Sequence, residues 1–211
     1  HHADELEAKT GDPGADFRQE AFTYIAGSLT YVDFDGPPAD HPYDTLLDDY
    51  EPGMKTSEVH EIFNALRPKQ VNLIKQISSA KQVKDDFLHK KYNEKKVWDF
   101  SETIITRFGY DWNRGRQDKA PHPFETAFSV NDVRITNRFE KDNPLATLFS
   151  AMHESGHAMY EQGINPAFDR TPLSGGTSLA VHESQSRMWE NLVGRSLPFW
   201  EHFFTQIKKL F

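Results

Sequence analysis

The 211-residue sequence contains no cysteine. This absence excludes a disulfide framework and every metal site built on thiolates, and it is consistent with a reducing compartment. Long apolar runs are missing as well, because no stretch approaches the roughly 20 residues that a membrane-spanning helix needs. We therefore expect a cytoplasmic protein without a membrane span.

Positive charge is also scarce, since 24 lysines and arginines face 32 aspartates and glutamates for a net charge of -8. This balance argues against nucleic acid or an anionic membrane as the main partner. No signal-peptide pattern is visible, and no function is assigned to His1 and His2. The run Gly36-Pro37-Pro38 interrupts regular structure, so we place a boundary there, with an N-terminal segment or linker over residues 1–40.

The chemically distinctive stretch is His153-Glu154-Ser155-Gly156-His157, which reads H-E-x-x-H. On a helix, residues four apart lie on one face, so both histidines can point at one ion. Two neutral imidazoles suit zinc, and Glu154 beside them can reach a water on the ion and act as a general base. The motif alone fits equally well with two surface histidines of purely structural role.

The surroundings of the motif predict a helix. Asn143 is a good N-cap, Pro144 fits the first helical position, and Gly163 is a natural stop. Apolar residues recur at helical spacing before the motif, at Leu145, Leu148, Phe149 and Met152.

A zinc hydrolase needs a third protein ligand and one open position. A second helix is predicted from an N-cap at Thr177 or Ser178 to Gly194, after a loop long enough to let the two helices pack side by side. Glu183 then faces the two histidines, although it could instead be an exposed carboxylate paired with Arg187. His182 competes as a ligand, but its side chain points about 100° away. We favour Glu183.

Two further helices are predicted. One runs from Thr56 to about Ala80, and Pro68 should kink or split it. Its expected core face comprises Val59, Ile62, Phe63 and Leu66. The other runs from about Glu94 to Phe108 and ends at Gly109. Its expected core face comprises Val97, Phe100, Ser101, Ile104 and Phe108.

The periodicity then changes to that of two short strands over 126–139, with a turn near Asn131. In the second strand Asp132, Arg134 and Thr136 share one face, which could line a cleft. Arg134 could then bind a peptide carboxylate through its two-pronged guanidinium. The alternative is a solvent-facing Asp132–Arg134 pair, which spacing alone favours at least as much.

Several motifs occur together in the order seen in one known family. They are His122-Pro123-Phe124, Asp132-Val133-Arg134-Ile135-Thr136, His153-Glu154-Ser155-Gly156-His157 and His182-Glu183-Ser184-Gln185, with flanking His41-Pro42-Tyr43-Asp44, Tyr50-Glu51-Pro52-Gly53 and Arg187-Met188-Trp189-Glu190-Asn191. Over roughly residues 41–211 the chain resembles the carboxypeptidase Taq family of metallocarboxypeptidases, and several independent motifs agree.

The resemblance implies a mainly α metallopeptidase fold, in which the H-E-x-x-H helix packs on a second ligand-bearing helix with a small antiparallel sheet beside the cleft. It implies that residues 41–211 form part of a catalytic domain. One divalent ion would be held by His153, His157 and Glu183, with Glu154 as the base. Zinc is favoured, and cobalt or manganese can share such ligands. Family members release single residues from peptide C-termini with broad preference and are commonly homodimers.

This sequence departs from the family in length and in two motifs. Family members are well over twice as long, and residues 1–40 match poorly. An I-R-x-x-A-D motif, whose arginine holds the substrate carboxylate, and a G-x-x-Q-D-x-H-W motif are not found here. His122 and Arg134 are the candidate substrate contacts. Three interpretations stay open: a broad carboxypeptidase, an endopeptidase with the same metal site, and a truncated metal-binding fragment without turnover.

Overall fold

The structure, a computed structural model, describes residues 40–210. These residues divide into two compact units, 40–81 and 82–210. Within the described range, no helix is both long enough and apolar enough to cross a membrane.

The first unit contains α1 (Pro42–Asp48) and α2 (Thr56–Ser79). Pro42 occupies the start of α1, where its missing N–H costs no helical hydrogen bond. The carboxylate of Asp44 accepts hydrogen bonds from the backbone N of Thr56 at 2.7 Å and from its hydroxyl at 2.5 Å. The start of α2 is therefore tied to α1.

Two expectations for α2 need correction. Pro68 lies inside one continuous helix of 24 residues and does not split it, because the turns on either side sustain the helix around one missing hydrogen bond. Three residues of the predicted core face are exposed, at 53% for Ile62, 63% for Phe63 and 41% for Leu66. Val59 is only partly covered, and no residue of α2 is buried. Helical spacing identifies an apolar face, but it does not supply a partner for that face.

The second unit begins with a 3₁₀ turn (Asp86–Leu88) and α3 (Glu94–Phe108). The side chain of Asn93 caps α3 by accepting from the backbone N of Lys96 at 3.0 Å. Gly109 ends the helix with a φ of +113°, a conformation that favours glycine. The predicted extent of α3 is thus confirmed, and four of its five expected core residues are buried: Val97, Phe100, Ser101 and Ile104.

A second 3₁₀ turn (Trp112–Arg114) leads into a three-stranded sheet. Its strands are β1 (Gln117–Lys119), β2 (Glu125–Ser129) and β3 (Asp132–Asn137), in the order β1-β3-β2. The predicted antiparallel pair is present, with Thr126 opposite Arg134. The sheet as a whole is mixed, because β1 pairs with β3 in parallel, with Gln117 opposite Ile135.

The strand alternation in β3 follows the prediction. Val133, Ile135 and Asn137 are buried, and the residues between them are only partly covered. Asn137 donates a hydrogen bond from its side chain to the carbonyl of Thr147 at 3.1 Å, which joins the end of β3 to the following helix.

That helix, α4 (Pro144–Gln162), carries the H-E-x-x-H motif. The side chain of Asn143 accepts from the backbone N of Ala146 at 3.2 Å, and Gly163 follows the last turn, as predicted. A 3₁₀ turn (Pro166–Phe168) precedes α5 (Leu179–Arg187), which continues directly into a π-helix (Met188–Val193). The chain then forms α6 (Leu197–Ile207).

The core of the second unit lies on two sides of α4. Leu148 and Met152 pack with α3 and α6, whereas Ala151 and Ala158 pack with β3 and with Ile105. The aliphatic face of α4 is therefore held by α3, α6 and the sheet. The mainly helical fold with a small sheet, predicted from the sequence, is the fold observed.

Candidate metal centre

His153 and His157 project from the same face of α4, as their spacing of four requires. Their Nε2 atoms lie 3.3 Å apart, and both side chains are mostly covered, with 19% and 16% exposed. The buried position of α4 among α3, α6 and the sheet fixes where these two rings can be.

Glu183 reaches the histidines because α5 lies very close to α4 at Gly156. A Cβ added at Gly156 would lie 2.6 Å from the Cα of Ser186 and 2.8 Å from the carbonyl oxygen of Gln185. A glycine at this position therefore permits the backbone approach. Gly156, the second variable position of the H-E-x-x-H motif, thus has a packing role that the motif pattern does not reveal.

The three side chains form a group that could hold a metal ion. Oε2 of Glu183 lies 3.6 Å from Nε2 of His153 and 3.3 Å from Nε2 of His157. Four ligands at about 2.0–2.1 Å in a tetrahedron are separated by about 3.3–3.4 Å. The spacing and the donor set, two imidazoles and one carboxylate, both fit a zinc-like ion with one position left open.

The contacts of Glu183 and His182 bear on the two alternatives, a Glu183–Arg187 pair and His182 as a competing ligand. Oε1 of Glu183 accepts from Nε of Arg187 at 2.7 Å, while its other oxygen faces the histidines, so the predicted pair and the predicted cluster coexist. His182 has both ring nitrogens engaged elsewhere: Nδ1 lies 2.5 Å from Nδ1 of His157, and Nε2 lies 2.7 Å from Oε1 of Glu161.

Behind His153 stands a carboxylate from the π-helix. Nδ1 of His153 lies 3.0 Å from Oε2 of Glu190, whose other oxygen accepts from Arg195 at 2.7 Å. Arg187 also donates to Oε2 of Glu190, at 3.3 Å. Each histidine therefore contacts a further side chain through the nitrogen that does not face Glu183, an arrangement typical of metal-binding histidines.

The electrostatics of the site keep one ligand neutral. Burial, followed by the nearby His182 and His153, lowers the pKa of His157 to about 4. Burial raises the pKa of Glu183, but its hydrogen bond with Arg187 and the nearby His153 bring that pKa below its usual value. Near pH 7 the site therefore presents a neutral imidazole and a charged carboxylate, the forms that bind cations.

Glu154 is 8% exposed and directly follows His153 in the sequence. Burial, together with the charges of Glu125, Glu183 and Glu190, raises the pKa of Glu154 to about 7. A group that titrates near the working pH can both accept and release a proton, as a general base must.

A cavity of about 590 Å³ opens onto His153 and Glu154. His122 lines this cavity together with Leu145, Phe149 and Arg195. Arg134 does not line it. Its guanidinium forms two hydrogen bonds with Asp132, at 2.7 and 2.8 Å, as the alternative interpretation of β3 anticipated. Of the two candidate substrate contacts, the structure thus brings only His122 to the cavity.

Three acidic residues near the site were not singled out from the sequence: Glu125, Glu161 and Glu190. The sequence offers a signal for two of them: Glu190 belongs to the flanking family motif, and Glu161 lies four residues after His157 on α4. Glu125 is the first residue of β2, and burial followed by the charge of Glu161 raises its pKa to about 7. No feature of the sequence indicates that Glu125 lies close to α4.

Comparison with known proteins agrees with this geometry. Residues 19–211 match the sequence model of the family described as Carboxypeptidase Taq (M32) metallopeptidase. The match includes part of the 1–40 segment that the motif resemblance left out. The chain is 44% identical over 176 residues to thermostable carboxypeptidase 1 of Thermus thermophilus, and 37% identical over 171 residues to carboxypeptidase 1 of Bacillus subtilis.

These alignments cover 83% and 81% of this chain but 34% of each relative, so the chain spans about one third of their length. The structure also resembles the M32 carboxypeptidase of Deinococcus radiodurans, with a TM-score of 0.84 and 38% identity. That similarity covers 97% of this chain and 41% of the other.

Proposed function

Because this chain belongs to the carboxypeptidase Taq (M32) family of metallopeptidases, we propose that it is a metal-dependent carboxypeptidase that releases C-terminal amino acids from peptides with broad specificity. The observation that carries the proposal is the group formed by His153, His157 and Glu183, set beside the buried Glu154. His153 and Glu154 line a cavity. Peptides are the proposed substrates.

One divalent ion per chain is proposed at this group, held by His153, His157 and Glu183. Zinc is favoured by the imidazole-rich donor set, and cobalt or manganese are the alternatives. When bound, the ion would supply a Lewis acid for the scissile carbonyl and lower the pKa of water to about 7.

Glu154 is the proposed general base. Its carboxyl takes the proton of the attacking water and passes it to the leaving amine. The pKa of about 7 suits both transfers, since the same group must be charged for the first and protonated for the second. Burial, together with the surrounding carboxyls Glu125, Glu183 and Glu190, holds this pKa above its usual range.

One residue of the cavity wall is the proposed substrate contact. His122 is exposed and lines the cavity with His153 and Glu154, so it is the proposed donor to substrate oxygen atoms. Arg134 is committed to Asp132 and stacks over Phe128 at 5.2 Å. Its proposed role as a carboxylate anchor requires that the Asp132 pair opens.

The proposal is tested by elemental analysis and an amino-acid release assay on the same sample. We expect about one zinc per chain after dialysis, and free C-terminal amino acid from an unblocked peptide but none from its C-terminally amidated twin. Zinc binding without any release from either peptide would contradict the enzymatic proposal, whereas the proposed metal site would still stand.

An endopeptidase with the same metal chemistry is the second candidate. Two arginines of the cavity wall, Arg187 and Arg195, are already bonded to Glu190, which leaves the peptide carboxylate without an assured partner among the described residues. Cleavage of the amidated peptide at internal bonds would favour this candidate, because only an exopeptidase requires a free C-terminus.

The third candidate is a metal-binding protein without turnover, which zinc binding without release from either peptide would favour. A homodimer is proposed for the active protein on the basis of the family. Static light scattering distinguishes a defined dimer from the open-ended association expected if apolar faces such as that of α2 lack their partner. The cytoplasmic location stays a prediction from the sequence.

A further inference from the structure

A chain of close contacts extends away from the metal site behind His157. Nδ1 of His157 lies 2.5 Å from Nδ1 of His182, and Nε2 of His182 lies 2.7 Å from Oε1 of Glu161. Glu161 is 8% exposed, and about 15% of the His182 side chain is exposed. The contacts are thus short and largely shielded from solvent.

With both imidazoles neutral and Glu161 charged, the protons along this chain have a single arrangement. A carboxylate only accepts, so Nε2 of His182 must carry a proton and donate it to Glu161. A neutral imidazole has one donor and one acceptor, so Nδ1 of His182 accepts. His157 must then donate from Nδ1, which leaves the lone pair of its Nε2 free toward Glu183.

We propose that His182 and Glu161 are positioning residues that hold the proton of His157 on Nδ1 and thereby present its Nε2 to the metal. This inference rests on the proposed metal site. It assigns two roles to neighbouring residues of α5, since Glu183 would bind the ion directly while His182 would support the ligand His157.

The surroundings of His182 fix its ring in this role. The ring of Tyr160 meets it edge-on, with centroids 5.2 Å apart. On another side, a Cβ added at Gly176 would lie 2.6 Å from Cδ2 of His182, so the backbone itself confines the ring. Glu161 lies one turn after His157 on α4. The chain of contacts from His157 through His182 to Glu161, called the relay below, therefore begins and ends on one helix.

The two histidine ligands thus have different supports. His153 contacts a carboxylate, Glu190, directly, whereas His157 reaches its carboxylate through a second imidazole. Hydrogen-bonding partners of this kind orient a ligand and raise its basicity, and losing one commonly costs about 10–100-fold in metal affinity.

The test measures zinc dissociation constants by competition with a chromophoric chelator. His182→Phe keeps a planar ring and removes both nitrogens, and we expect about 10–100-fold weaker binding. Glu161→Gln keeps an acceptor and removes the charge, so a smaller loss in the same direction is expected. His202→Phe and Glu201→Gln, which change exposed residues of α6, are the matched controls and should bind zinc as the parent does.

Two further measurements separate positioning from folding. The metal-free variants should still unfold in one cooperative transition, because neither substitution changes a residue of the apolar core around α4. Nitrogen-15 NMR of the zinc-loaded parent should show the His157 proton on Nδ1. A proton on Nε2 would overturn the relay.

The outcomes also separate this inference from the proposed function. If the parent binds zinc and both variants bind it within about two-fold, the relay is wrong and the metal site stands. If the parent binds no zinc, the relay and the proposed metal site are both wrong.

Discussion

Glu154 is surrounded by an unusual number of carboxyls. Burial, followed by the charges of Glu125, Glu183 and Glu190, raises its pKa to about 7. None of the three is its neighbour in sequence. The proton affinity of the proposed base therefore depends on its burial and on residues that approach it from a strand, a helix and a π-helix.

Replacement of Glu154 tests its proposed role most directly. Glu154→Gln keeps the size of the side chain and removes the base, so we expect peptide release to fall by at least about 100-fold while zinc content stays unchanged. Both quantities are measured on one preparation. Equal hydrolysis rates in the variant and the parent would remove Glu154 from the mechanism.

Glu183 is expected to behave in the opposite way. Glu183→Ala removes a proposed ligand, so zinc should be lost on dialysis, with a larger drop in affinity than the roughly 10–100-fold expected when only the partner of a ligand is lost. Elemental analysis provides the measurement, and Glu201→Ala on exposed α6 is the control. Unchanged zinc content would exclude Glu183 from the site.

At the scale of elements, the site depends on how closely α5 approaches α4. The contact at Gly156 leaves no room for a side chain, and Glu183 lies only two residues before the point of contact at Gln185. The continuation of α5 into a π-helix matters as well, because the π-helix contains Glu190, which stands behind His153. Such wide turns occur frequently at functional sites.

A methyl group at Gly156 should disturb this approach. In Gly156→Ala the new Cβ would lie 2.6 Å from backbone of α5, so the helices must separate. We expect a loss of about 1–3 kcal/mol in the free energy of unfolding and more than about ten-fold weaker zinc binding, measured by urea unfolding and chelator competition.

Gly163→Ala is the matched control for this change. It adds the same methyl group at the end of the same helix, where the nearest atoms are carbonyls of Met159 and Tyr160. It should therefore weaken zinc binding much less. Similar zinc affinities in the two variants would show that the close approach at Gly156 does not position Glu183.

At the scale of the whole molecule, the net charge of -8 comes from residues 1–81, with 15 acidic and 7 basic residues, whereas residues 82–211 contain 17 of each. The second unit is thus neutral as a whole, but several of its carboxyls interact around the metal centre. Glu125 illustrates the cost of this local arrangement. Its Oε1 is buried, and no described residue donates a hydrogen bond to it. Burial and the charge of Glu161 raise its pKa from 4.5 to about 7.

This shift predicts how the stability of the fold changes with pH. A raised folded pKa contributes stability below about pH 4.5, and that contribution is lost as the pH rises through about 7. Between pH 5 and pH 8, the parent should lose about 2 kcal/mol more than Glu125→Gln does in its free energy of unfolding.

Urea unfolding followed by tryptophan fluorescence measures this difference, because all four tryptophans lie within residues 82–210. Glu201→Gln serves as the control and should follow the parent at both pH values. An identical pH dependence for Glu125→Gln and the parent would contradict the raised pKa of Glu125.

Much of the fold could be predicted because its signals are local. The ends of α3 and α4 are set by Asn93, Gly109 and Asn143, whose side-chain or backbone conformations act within one helical turn. The alternation in β3 is local for the same reason. The third strand, β1, is only three residues long and pairs with β3 in parallel, and so short a segment carries no periodicity to detect.

The sequence by itself determined that His153 and His157 share a face, because a spacing of four on a helix is local geometry. It also indicated Glu183 and the family. Only the tertiary structure decided which groups stand behind those ligands, that Arg134 is bonded to Asp132, and that the apolar face of α2 is exposed. Those features depend on the packing of segments that are distant in sequence, and residue spacing along one element carries no information about it.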